Sequence, residues 1–182
     1  MEEKKENEKK ERWLNYLALT TVMLALGATI STLRVGSFSN RSILRQTQAS
    51  DQWAYYQAKS IKGYLYELQK EKLELELKLV GNTSPKNTVD EYQQKIQSYD
   101  KKIKKYDQEK GEIQKEAKGL EEQRDLAVKH SLAFGYAVIL FQLSILLASI
   151  AALMKKPRVW YLGLVLGVAS AFYFANGLWL FL

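Results

Sequence analysis

The sequence predicts an all-α membrane protein: three transmembrane helices with a long antiparallel helical (coiled-coil) hairpin between the first and the second. Three observations carry this expectation. All 47 charged residues lie in Glu2 to Arg12, Arg34 to Lys129 and the cluster Lys155, Lys156 and Arg158, leaving three uncharged blocks. Those blocks run for 21, 23 and 24 residues, against the roughly 20 apolar residues a helix needs to cross hydrocarbon. The polar segment between the first two carries apolar residues at alternating three- and four-residue spacing, the signature of a coiled-coil seam.

Residues 1–12 form a charged N-terminal tail with five acidic and five basic side chains. Residues 13–33 follow as transmembrane helix 1. Ala25 and Gly27 offer a weak cleavage pattern, but a long tail with five glutamates and an extended apolar run suit an anchor better than a secretory signal. Trp13 and Tyr16, Trp160 and Tyr161, and Trp179 stand near the ends of the apolar blocks, where amphipathic rings favour the headgroup layer. The mean hydropathy of -0.29 averages these blocks with the polar segment and hides them.

Residues 34–131 form the extramembrane hairpin, with arms over about 40–80 and 88–129 and a turn at 81–88. Gly36, Ser37, Ser39 and Asn40 predict a flexible neck before the first arm. That arm carries one heptad series through Leu44, Asp51, Ala58, Leu65, Lys72 and Leu79 and another through Thr47, Ala54, Ile61, Leu68 and Leu75. LELELKLV also alternates with period two, as a strand would, but Leu, Glu and Lys are helix formers. GNTSPKNT supplies the turn through Gly, Asn, Ser and Pro85, and Thr88 with Glu91 fits a capping box. The second arm pairs Val89, Ile96, Ile103, Lys110, Ala117 and Arg124 with Tyr92, Tyr99, Tyr106, Ile113, Leu120 and Ala127. It is expected to run unbroken into the second span.

Residues 132–154 form transmembrane helix 2, 155–158 a basic turn, and 159–182 transmembrane helix 3. Small residues let helix backbones approach in lipid, where hydrophobicity alone drives no association. Ser144, Ala148 and Ala152 in the second span are therefore expected to face Gly163, Gly167, Ala171 and Ala175 in the third. No ionisable side chain lies inside a block, which argues against pumps and coupled transporters. The basic turn and tail place the N-terminus on the cytoplasmic side of the inner (plasma) membrane and the hairpin outside.

The formal charge of +7 does not read as a nucleic-acid footprint. Between Arg34 and Ser131, 19 basic residues are interspersed with 15 acidic ones, whereas nucleic-acid binding clusters charge on one face. The single histidine and absent cysteine leave no ligand cluster, nucleophile pair or phosphate loop. No catalytic, cofactor-binding or metal site is predicted, and a non-enzymatic role is expected.

SDQWAYYQAKSIK, residues 50–62, is the densest group of expressive side chains. The heptad frame puts Asp51, Ala54, Ala58 and Ile61 toward the other arm, level with positions near 114. It makes Asp51, Lys72 and Lys110 a candidate register-setting polar layer. Trp53, Tyr55, Tyr56 and Lys59 become a candidate contact surface. This string, between a first span and a coiled coil closed by two spans, resembles an uncharacterised bacterial family of small membrane proteins, one of the domain-of-unknown-function families. The resemblance implies a bacterial membrane setting and no mechanism. The expected role is an interaction or assembly scaffold whose partners are the lipid bilayer and either further copies of itself or another membrane or envelope protein. An oligomeric channel or transport accessory, and a lipid- or envelope-contacting spacer, are the alternatives.

Overall fold

In the computed structural model, which describes residues 2–80 and 85–181, the described residues form three helices and no strand. Helix α1 spans Glu2–Val80, α2 spans Lys86–Met154 and α3 spans Pro157–Trp179. Each contains a window long and apolar enough to cross a membrane. The alternating LELELKLV segment is helical, as its composition requires.

Contacts divide the chain into two units, one of residues 1–43 with 124–182 and one of residues 44–123. In the first unit, α2 and α3 meet through small residues. A Cβ added to Gly163 would stand 3.1 Å from the Ser144 carbonyl oxygen and 3.6 Å from the Ala148 nitrogen. Gly167 instead abuts α1, where a Cβ would come 2.9 Å from Leu24 Cδ2. Ser144, Ala148, Gly163 and Gly167 are buried, while Ala152 and Ala175 are half-buried and Ala171 is exposed. The departure from the expected facing stripes is geometric. A strict four-residue row advances about 40° per step around an α-helix, so its far members rotate out and burial passes to Ser170, Asn176 and Gly177.

The neck expected at Gly36 to Asn40 is continuous helix. Packing on α2 overrides the weak propensity of Gly and Ser there. Phe38 stacks on His130 with ring centroids 4.5 Å apart, and Ser39 Oγ lies 2.9 Å from Ser131 Oγ. His130 Nδ1 lies 2.7 Å from the Gly177 carbonyl oxygen; a carbonyl only accepts, so Nδ1 carries the proton. At the opposite end of α3, Trp160 donates from Nε1 to Thr20 Oγ1 at 3.1 Å, and its ring packs 6.5 Å from Trp13. Two residues expected separately at a membrane boundary thus form one cluster.

The α2–α3 connection is tight. Lys155 takes a left-handed conformation, φ 51°. The Lys155 and Lys156 amides donate back to the Ala152 and Ala151 carbonyls, the pattern of a Schellman stop. Pro157 then opens α3, where its missing N–H costs nothing.

Of the expected turn at 81–88, residues 81–84 lie outside the described residues. The Thr88 capping box does not form as expected. The Thr88 and Val89 amides both donate to the Pro85 carbonyl, so Pro85 holds the cap position and Thr88 sits in the first turn.

Candidate interaction surface

The second unit brings α1 and α2 side by side with opposite chain directions. Trp53 Nε1 donates to Glu121 Oε1 at 2.9 Å, Lys59 Nζ to Glu109 Oε2 at 2.6 Å, and Lys70 Nζ to Asp100 Oδ1 at 2.9 Å. Between the two lysine pairs, Gly63 is buried against Tyr106, whose Cβ would stand 3.8 Å from an added Cβ. The Tyr66 ring lies 5.8 Å from Tyr106 and 5.5 Å from Tyr99.

These contacts perturb the charges that make them. Lys104 and Lys70 both donate to Asp100 and hold its carboxyl well below the usual range, at about 2. The hydrogen bond from Lys59 lowers Glu109, and Glu109 in turn raises Lys59. Asp100 likewise raises Lys70, and Asp107 raises Lys110.

On α2 the expected seam turns inward: Tyr92, Ile96, Tyr99, Ile103 and Tyr106 are half-buried, and Ile113 and Ala117 are buried. On α1 the expected seam does not. Ile61, Leu65, Leu68, Leu75 and Leu79 are 61%, 53%, 62%, 61% and 83% exposed, and Asp51, Ala54 and Ala58 are exposed with them. The inward series is Ala49, Trp53, Tyr56, Lys59, Gly63, Tyr66 and Lys70. It lies on the opposite side of the helix: Tyr56, Gly63 and Lys70 stand two residues on from Ala54, Ile61 and Leu68, about 200° around the axis. The α2 seam is covered by aromatic rings and lysine stems, which bury their methylenes while their heads reach carboxylates.

This rotation reassigns the 50–62 string. Trp53, Tyr56 and Lys59 turn toward α2; Trp53 packs edge-on against Tyr56 at 5.6 Å. Tyr55 stays half exposed, with Lys59 Nζ 5.1 Å from its ring centre. Asp51, Lys72 and Lys110 are not brought together as a layer. Asp51 is exposed, and the Lys72 side chain is 76% exposed and 3.8 Å from Glu76 of its own helix. Lys110 faces inward but pairs with Asp107 of its own helix at 2.8 Å. The expected level of residue 54 with residue 114 is kept by the Lys59–Glu109 pair, whose members are likewise equidistant from residue 84, while Trp53 reaches further along α2 to Glu121. Opposite charges equidistant from the 81–88 turn are the sequence signal that finds the Lys59–Glu109 and Lys70–Asp100 pairs.

Three helices long and apolar enough to cross a bilayer, two of them extending into a polar helix pair, define an all-α protein of the membrane-associated class. Within that class, the chain belongs to the family described as Domain of unknown function (DUF4337), which matches residues 13–180. No curated protein and no solved structure matches it.

Proposed function

We propose that the protein is a non-enzymatic assembly scaffold of the inner membrane, anchored by its three apolar helices and presenting residues 44–123 as a coiled-coil hairpin to other proteins. The observation that carries this reading is the regular apolar series on α1, left exposed after α1 and α2 have paired. Monomeric proteins seldom expose a contiguous apolar patch of more than a few hundred Å². The opposing chain directions and the inward heptad faces support the hairpin. Among the described residues, the ionisable groups with shifted protonation are engaged in ion pairs of the helix surface, an arrangement suited to fixing register.

Lys155, Lys156 and Arg158 in a short connection support an N-terminus inside and the hairpin outside. A reporter fused within residues 81–88 is expected to be active on the outer side only; cytoplasmic activity would reverse the orientation. Native mass measurement and lysine crosslinking of the protein extracted in mild detergent test the scaffold itself. More than one copy, or a stoichiometric partner, is expected. A single copy with nothing bound would contradict the reading.

A further inference from the structure

The exposed stripe on α1 has a definite shape. Ala54, Ala58, Ile61, Leu65, Leu68, Lys72, Leu75 and Leu79 follow one another at alternating spacings of four and three, so the surface that fits it is another helix of the same period. We propose that its occupant is the same stripe of a second copy of this chain, the two α1 helices pairing parallel and in register. This rests on the scaffold reading and names its partner.

Area is the first argument. Ile61, Leu65, Leu68, Leu75 and Leu79, flanked by Tyr55 and Tyr64, are each at least half exposed. At roughly 100–150 Å² apiece they present on the order of 800 Å², what a standard interface takes from each partner. Charge is the second. Residues 61–79 hold four lysines and four glutamates, a balance that lacks the basic excess of helices that lie on anionic lipid. Lys72, the one charge in the stripe from Ala54 to Leu79, occupies a seam position. In a parallel pair it lies beside Glu71 and Glu76 of the second copy, on the two flanks of the seam. A single lysine at such a position costs stability but fixes register and copy number. Direction is the third: copies inserted the same way in one bilayer send α1 out of it with the same polarity.

The natural chain has no cysteine, so single cysteines report the pairing in the intact protein. Ile61→Cys, Leu68→Cys and Leu75→Cys are each expected to form a disulfide-linked dimer in membranes on mild oxidation, whereas Gln108→Cys, on the outer face of α2, is not. Crosslinking confined to position 68 would overturn the parallel register. No stripe crosslink in a protein that native mass shows to be oligomeric would overturn this inference and leave the scaffold reading standing; a lone monomer would overturn both. A fluorophore on Leu68→Cys, quenched by lipid-borne quenchers in reconstituted vesicles instead of crosslinking, would assign the stripe to the bilayer surface and overturn the second copy. Leu68→Glu, changing a side chain exposed in the single chain, is expected to halve the native mass with helicity unchanged.

Discussion

At Asp100 two lysines converge on one carboxylate, Lys104 from its own helix at 2.8 Å and Lys70 from α1 at 2.9 Å. Its folded pKa of about 2 lies below the roughly 3.9 of an unfolded aspartate. The stabilisation is therefore complete above about pH 4 and lost as pH falls toward 2. Thermal melts of the intact protein in detergent should show that loss, and Asp100→Asn should lower the melting temperature at neutral pH while flattening the acid decline. A melt insensitive to this substitution would remove the pair from the account. Trp53→Phe keeps a ring but deletes the donor to Glu121, at an expected cost of about 1 kcal/mol. Asp51→Ala, at an exposed site, should stay within about 0.5 kcal/mol of the parent. Equal effects from these two substitutions would mean the α1 face has been misassigned. Asp51 and Trp53 are neighbours in a string that reads as one unit, and only helix rotation separates an outward side chain from an inward one.

The three apolar helices were legible because charge exclusion over 20 or so residues has one economical explanation. The rotation of α1 was not. Periodicity gives the spacing of a seam, and the expectation that an apolar series must face the only partner in the chain supplied its direction; aromatic rings and lysine stems on the opposite face cover α2 instead. The neck at Gly36 to Asn40 reads as loop for the same reason: local propensity is weak against Phe38 packed on His130 and Phe134. Small-residue contacts give a test at this scale. Gly163→Val would press side-chain atoms on the Ser144 backbone carbonyl, which cannot move alone, and should lower stability by about 1–3 kcal/mol. Gly167→Ala, meeting the flexible end of Leu24, should cost less. Melts of both variants in one detergent decide whether backbone proximity at Gly163 holds α2 to α3.

For the molecule as a whole, the apolar helical segments and the polar helix pair differ in how their faces are covered. The small-residue contacts of the apolar segments are internal to one chain, whereas the polar helix pair leaves a complete heptad series of α1 uncovered. On the proposed scaffold reading, that exposed seam is the surface offered to another helix. The measurement that tests this most directly is the native mass of the purified protein in mild detergent, compared with a variant carrying Leu65→Glu and Leu68→Glu. The account predicts a multiple of the 21.0 kDa chain for the parent and a single chain for the variant, with matching helical circular dichroism. The same mass for both proteins would contradict it.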